Sequence, residues 1–305
     1  MKVDLTTKIG HLTFRNPVAV ASGTFGTKDE YASFVDIRKL GAVITKTITV
    51  KPRAGNPMPR ICETSGGMLN AIGLQNKGLE DFLEHKIPYF KKINTPLIVN
   101  IAGEDSGDFV TLARALHERQ PVVKALELNF SCPNVEAGGA GHMRKTERIL
   151  EIMRLVRETT DMTLFAKLSP ELGDVVEIAK AVTAAGADGL SLINTLKGMA
   201  VDIAKRRPKL ANITGGLSGP AIKPVALRYV YEVKKACPVP VIAMGGILTA
   251  ADAIEFLMTG ADLVAVGTAN FVNPGATLEI LEGIEAYCKA NKISQISELR
   301  GSLNV

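Results

Sequence analysis

Cys132 stands in the run Leu126-Glu-Leu-Asn-Phe-Ser-Cys-Pro-Asn134, where side chains alternate over Leu126 to Asn129 as in a short strand and Pro133 breaks the chain. The thiol sits just past a strand end, beside Ser131, Asn134 and Asn129. A strand end on a rigid scaffold holds a reactive group in place while leaving it reachable. Taken alone the segment leaves two readings open, a reactive thiol or the small buried hydrophobe that most lone cysteines are. Two lysines repeat the pattern, Lys46 after the apolar run ending at Thr45 and Lys167 after the one ending at Ala166. A single such lysine snorkels to water, whereas a buried one needs a partner, and two at equivalent places favour an anionic ligand. Gly245-Gly246 and Gly267-Thr268 follow two further apolar runs. Backbone N–H groups there suit a phosphate, though turns use glycine in any case. Ser218, in Thr214-Gly-Gly-Leu-Ser-Gly-Pro220, is within reach of the same ligand on this reading. Asn70, in Gly66-Gly-Met-Leu-Asn-Ala-Ile-Gly-Leu-Gln-Asn76, offers a donor and an acceptor to a ring imide or a carboxylate. Asn and Gly are equally ordinary turn residues.

Eight apolar, β-rich runs must position these groups: Pro17–Ala21, Ala42–Thr45, Leu97–Val99, Ala125–Leu128, Leu164–Ala166, Gly189–Ile193, Pro240–Ala243 and Leu263–Val266. They alternate with helix-period segments, and parallel strands need such crossovers. The expected fold is α/β, a (β/α)8 TIM barrel in a single domain spanning 1–305. Val3–Thr6 and His11–Phe14, around Lys8-Ile9-Gly10, predict a short N-terminal β-hairpin that plugs the barrel bottom. Ala185-Gly-Ala-Asp-Gly189 resembles Thr259-Gly-Ala-Asp-Leu263, and Leu40-Gly41-Ala42 precedes the second run. Glycine there supplies the left-handed residue that ends a helix before the next strand. The opposite connections are long: Thr47 to Gly78, Phe130 to about Thr146, and Thr195 to Ala221. Loops of that length are usually functional, and all three leave the carboxyl ends of strands, where barrel enzymes place their active sites. One polar group per strand then forms a ring of Ser22 with Gly23, Lys46 with Thr47, Asn100, Asn129 with Cys132, Lys167, Asn194 with Thr195, and the two glycine pairs. The runner-up is a doubly wound open sheet, which lacks support because no Gly-x-Gly-x-x-Gly follows the first strand.

Composition narrows the classes. Hydrophobic residues make up 46% and charged residues 22% of 305, as in an ordinary globular protein with a large core. No window of 18 uncharged apolar residues is present, so no membrane span is expected. Met1-Lys-Val-Asp-Leu5 has no apolar core of a signal peptide. Four cysteines, at 62, 132, 237 and 288, are too scattered for a zinc or iron–sulfur ligand set and suit reduced thiols in a cytoplasmic protein. Cys62, Cys237 and Cys288 fall outside the ring and read as structural. A net charge of +5 with no basic run and 5% aromatics argues for small anions and against nucleic acid.

Taken in order, Asn70-Ala-Ile-Gly-Leu-Gln-Asn76, Asn129-Phe-Ser-Cys-Pro-Asn134, Asn194-Thr-Leu-Lys-Gly-Met-Ala200, Gly215-Gly-Leu-Ser-Gly-Pro-Ala-Ile-Lys-Pro224 and the glycine pairs resemble the dihydroorotate dehydrogenase family. The similarity runs from about Val3 to Ala276 and is nearest to the catalytic subunit of the NAD-linked, type B enzymes. The resemblance implies FMN-dependent oxidation of dihydroorotate to orotate in pyrimidine (UMP) biosynthesis. It implies FMN contacts from Ser22, Lys46, Thr47, Asn100, Asn129, Lys167, Ile193, Gly219, Gly245, Gly246, Gly267 and Thr268. It assigns the substrate to Lys46, Asn70, Ala71, Ile72, Gly73, Leu74, Asn129, Asn194 and Thr195, and the catalytic base to Cys132. The quinone-linked branch has serine as base and a helical N-terminal extension, and this sequence has neither. A partner subunit with FAD and a [2Fe-2S] cluster, passing electrons to NAD+ in a heterotetramer of two catalytic and two electron-transfer subunits, is implied in the same way. After Gly138-Gly139 the chain departs from the type B pattern and reads Ala140-Gly-His-Met-Arg-Lys145, a more basic stretch. Alternatives are a fumarate-using homodimeric relative, a dihydropyrimidine dehydrogenase-like enzyme, and a non-catalytic phosphate-binding barrel.

Overall fold

The computed structural model describes residues 1–26, 30–130 and 141–304, the side chains of 141–145 excepted. The strands, in chain order, are β1 (Thr7–Ile9), β2 (Leu12–Phe14), β3 (Val18–Val20), β4 (Ala42–Ile44), β5 (Ile61–Thr64), β6 (Gly67–Asn70), β7 (Leu97–Ile101) and β8 (Val123–Asn129). They continue as β9 (Thr163–Leu168), β10 (Gly189–Leu192), β11 (Leu196–Met199), β12 (Val201–Asp202), β13 (Arg207–Pro208), β14 (Thr214–Ser218), β15 (Val241–Ala243) and β16 (Leu263–Val266). Eight of these close a parallel barrel in the order β3-β4-β7-β8-β9-β10-β15-β16. Each expected run supplies one barrel strand, shifted at its ends by at most two residues. The chain is thus a TIM barrel ringed by helices.

Barrel strands are buried on both faces, so their sequences are nearly continuous in apolar residues. The two faces lead to two cores. One joins the outward residues to helix residues such as Phe109, Leu112 and Leu116 of the helix Ser106–His117. The other holds Ala19, Ala21, Ala42, Ile44, Ile98, Ala125, Phe165, Ile242, Met244, Leu263 and Ala265 together with Ile9, Leu12 and Phe14. It contains no residue of the surrounding helices and is the barrel lumen, plugged by the hairpin. Phe14 and Phe165 are fully buried there, and a Cβ on Gly189 would come within 2.7 Å of the Phe165 ring.

The hairpin's first arm is Thr7–Ile9 rather than Val3–Thr6. Ile9 pairs with Leu12 directly across Gly10-His11, with Gly10 at φ +54, so the arm must adjoin that tight turn. Asp4 instead bridges to Gln295. The glycine–alanine–aspartate repeat has a clear use. Gly186 and Gly260 adopt φ of +112 and +109 after their helices, while Asp188 and Asp262 accept the N–H groups of Leu164 (2.8 Å) and Val241 (2.9 Å) at the starts of adjacent strands. Gly41 departs from the expectation. It has no left-handed φ, and a Cβ there would lie 2.1 Å from the Asn16 carbonyl oxygen, so close backbone approach is what requires glycine.

Two of the long connections are not plain loops. Segment 47–78 contains β5 and β6, segment 195–221 contains β11 to β14, and together they form an antiparallel sheet in the order β11-β14-β6-β5. The glycines of β14 hide it as a strand, yet they allow close pairing: a Cβ on Gly215 would stand 2.7 Å from the Asn70 carbonyl oxygen. Most of the third segment, 131–140, lies outside the described residues, and the helix Gly141–Thr159 begins before the expected Thr146. Among the described residues no helix is long and apolar enough to cross a membrane.

Candidate functional site

Side chains alternate along a strand, so the lumen core fixes which residues above it also point inward. From Ile44 the next inward position is Lys46, and from Ile98 it is Asn100. Ala125 leads to Glu127 and Asn129, Phe165 to Lys167, Gly189 to Ser191, and Ala265 to Gly267. A polar tier of Asn100, Glu127, Lys167 and Ser191 therefore lies on the apolar floor, each less than a tenth exposed. Asn100 pairs in register with Glu127, Asn129 with Lys167, and Lys167 with Ser191. Lys167 Nζ donates to Glu127 Oε1 at 3.4 Å, and Asn100 Nδ2 donates to the same oxygen. The Asn100 backbone N–H is held by Thr45 Oγ1 at 3.1 Å. Asn100 Oδ1, Glu127 Oε2 and Ser191 Oγ are buried without a hydrogen-bond partner among the described residues. Buried polar atoms are rarely left so, and three together mark a place completed by a ligand or by water. Glu127 and Ser191 were not among the sequence candidates. The signal was an acid inside an apolar strand, in Leu126-Glu-Leu-Asn129.

Lys46 extends beside Gly23, where a built Cβ would be 3.5 Å from its Nζ. Burial, then the positive charges of Arg60 and Lys167, hold its pKa below the ordinary lysine value. It has no hydrogen-bond or ion-pair partner among the described residues. A half-buried cation facing two others calls for an anion. Arg60, in the segment before β5, is a further residue that sequence reasoning passed over. Ser22, half-buried, adjoins Gly23, and Thr47 is buried beside Lys46.

A second group stands on the antiparallel sheet. Asn70 pairs with Gly216 and donates to its carbonyl at 3.3 Å. Thr195 packs against Gly216 so closely that a Cβ there would sit 2.1 Å from its Oγ1. The Thr195 N–H donates to Asn194 Oδ1 at 2.8 Å, and Asn194 Nδ2 donates to Asn129 Oδ1 at 3.4 Å. Asn70, Asn129, Asn194 and Thr195 are thus brought together from three parts of the chain. Ala71 to Leu74 follow Asn70 directly. Asn56 Nδ2 donates to the Ala71 carbonyl at 3.0 Å and Asn76 Nδ2 to the Leu74 carbonyl at 2.8 Å. Gly73 and Leu74 both have positive φ, +74 and +56; for leucine this conformation is strained, as is common where a loop serves a ligand.

A third group gathers Thr268, Ser218 and the glycines. Thr268 Oγ1 donates to Ser218 Oγ at 2.7 Å, which joins the end of β16 to the end of β14. Gly219, Gly245 and Gly246 have φ of +99, +127 and +80. The reason for the Gly245-Gly246 pair differs from simple room for an anion. Added Cβ atoms would meet Ala226 at 2.9 Å and Lys223 at 2.7 Å, on the helix Lys223–Ala236. Gly267 is the contrasting case, since its Cβ would find only ordinary contacts at 3.6 Å and beyond. Ile193 reaches this group from β10, its Cγ1 3.6 Å from a Cβ on Gly245.

The first and third groups fit the parts of FMN: a buried donor–acceptor tier for a polar ring, and hydroxyls with bare glycine backbone for a phosphate. Cys132, with Ser131 and Pro133, lies outside the described residues, as do Gly138 to Ala140. Of Cys62, Cys237 and Cys288, the last two are buried and the first is half-buried on β5, and all three are free thiols. Among the described residues no group of three or more His, Cys, Asp or Glu could hold a metal ion.

A family model described as "Dihydroorotate dehydrogenase" matches residues 4–287. Over 302 residues the chain is 53% identical to the "Dihydroorotate dehydrogenase B (NAD(+)), catalytic subunit" of Geotalea uraniireducens, covering 99% of each chain. The protein of the same name from Desulforamulus reducens is 52% identical over 305 residues and 100% of each chain. That from Alkaliphilus metalliredigens is 51% identical over 302 residues and 99% of each.

Proposed function

The chain belongs to the dihydroorotate dehydrogenase family, and we propose that it is an oxidoreductase converting dihydroorotate to orotate in pyrimidine synthesis, as one FMN-binding barrel domain over residues 1–305. The observation that carries this reading is the unanswered positive charge of Lys46 above the buried tier of Asn100, Glu127, Lys167 and Ser191. A barrel built for packing alone would fill that tier with apolar side chains.

Thr268, Ser218, Gly219, Gly245, Gly246 and Gly267 would hold the phosphate of FMN, with Ser22, Thr47 and Ile193 beside them. Asn100, Asn129, Lys46 and Lys167 would meet its ring system. When bound, FMN supplies the hydride acceptor that no side chain offers. Asn70, Asn129, Asn194 and Thr195, with the segment from Ala71 to Leu74, would grip the imide edge and carboxylate of the substrate, and Lys46 would balance the carboxylate charge. Pairing of β6 with β14 holds Asn70 near Thr195, so orientation comes from sheet hydrogen bonds rather than from free loops. Cys132 would take the C5 proton, a role that rests on the family resemblance. An unperturbed thiol, with a pKa of about 8.5, is partly ionised near neutrality and so competent as a base.

The name "catalytic subunit" borne by the relatives supports a second, electron-transfer subunit. We infer that it carries FAD and a [2Fe-2S] cluster, that it delivers electrons to NAD+, and that two copies of each chain assemble in the cytoplasm. The test is to purify the chain with and without its neighbouring subunit. It should take up FMN, and dihydroorotate but not dihydrouracil should bleach the flavin. NAD+ should be reduced only with the partner present. Turnover of the isolated chain with fumarate would point to the homodimeric reading, and a colourless chain that rejects FMN would refute the proposal.

A further inference from the structure

We propose that Glu127 is a positioning residue for flavin recognition, fixing which atom of Asn100 and what charge from Lys167 the ring meets. The inference rests on the FMN reading above. Glu127 is fully buried, and its Oε1 accepts from both Asn100 Nδ2 and Lys167 Nζ. An ionised carboxylate only accepts, so it settles the amide of Asn100 one way round. The Asn100 nitrogen is committed to Glu127, and its Oδ1 is left in the lumen without a partner among the described residues. Asn100 therefore presents an acceptor, and Lys167, beside it, a cationic donor. The pyrimidine edge of a flavin carries one imide N–H between carbonyl acceptors, and this pair of groups complements it. Glu127 also moderates the field. Lys167 alone would be a bare positive charge under the ring, whereas the pair Lys167–Glu127 is nearly neutral at a distance.

The two duties can be separated with Glu127→Gln, close in shape and uncharged. Its amide both donates and accepts, so the Asn100 orientation is no longer fixed, and Lys167 loses its counter-charge. FMN affinity of the apoprotein should fall by about tenfold or more, the scale of one charge-assisted hydrogen bond. The midpoint potential of bound FMN should move positive, because Lys167 then favours the negatively charged reduced flavin unopposed. Glu127→Asp, which keeps the charge, should leave the potential near that of the unaltered protein. A purely structural role would weaken FMN binding without moving the potential, and that result overturns the inference. So does a Glu127→Gln protein with unaltered affinity and potential, or failure of both variants to fold. Unaltered protein that takes up no FMN refutes the functional reading itself, which keeps the two failures distinct.

Discussion

Replacing Gly216 with alanine should cripple substrate binding while the flavin stays bound. Gly216 faces Asn70 on one side and Lys197 on the other within the antiparallel sheet. Its φ is not left-handed, so alanine meets no backbone penalty, and the effect is steric. The new Cβ would stand 2.1 Å from Thr195 Oγ1 and 2.8 Å from Thr195 Cβ, where 3.4–4 Å is ordinary contact. A change of rotamer removes the first clash but not the second. The backbone at Thr195 must then yield by roughly 0.5–1 Å, and a 1 Å error in positioning costs about 10²-fold in rate. The shift would pass to Asn194 through its 2.8 Å bond from the Thr195 N–H, and on to Asn129. We expect kcat/KM for dihydroorotate to fall by about 10²-fold, equivalent to about 2.7 kcal/mol. Anaerobic bleaching of the bound flavin against dihydroorotate concentration measures it, with FMN content as the control. A kcat/KM within about threefold of the unaltered protein would refute the idea that Gly216 seats Thr195.

Other outcomes follow from the same geometry. Cys132→Ser should retain FMN but slow dihydroorotate-dependent flavin reduction strongly at neutral pH, since a serine hydroxyl, unlike a thiol, is scarcely ionised there; near-normal reduction in stopped flow removes the thiol from the mechanism. Burial lowers the Lys46 pKa, so anion binding should weaken as pH rises through a value below the ordinary 10.5, and Lys46→Met should abolish that dependence. The unfolded chain keeps the same proton to higher pH, so the ligand-free protein should gain stability between the lowered pKa and 10.5; chemical denaturation across that window, flat in Lys46→Met, checks the sign. Phe14→Ala empties a fully buried ring from the lumen floor and should cost about 3–5 kcal/mol by urea unfolding, whereas a loss under about 1 kcal/mol would mean the hairpin is no plug.

Much of the site could be read from the chain because strand ends are local events. Lys46, Asn100, Asn129, Lys167 and Asn194 each follow or close an apolar run, and a parallel barrel gathers all such ends on one face. Glu127 was passed over for a physical reason. A barrel strand is apolar on both faces, so its pattern does not say which residues turn to the lumen and which to the helices. Arg60 and Asn56 were missed because they act across long segments, through contacts that no local spacing announces.

By itself the sequence determined the eight alternating units, the hairpin before them, and Gly186 and Gly260 as the left-handed residues after their helices. Those follow from strand and helix periods and from turn chemistry, which are set by near neighbours. Tertiary structure alone decided that the hairpin's first arm is Thr7–Ile9 and that two long connections join as a sheet. It also decided that Gly41 serves a close approach, and that three lumenal polar atoms, one of them on Glu127, have no partner among the described residues. These depend on barrel closure, which brings together residues some tens of positions apart and fixes the inward side of every strand at once.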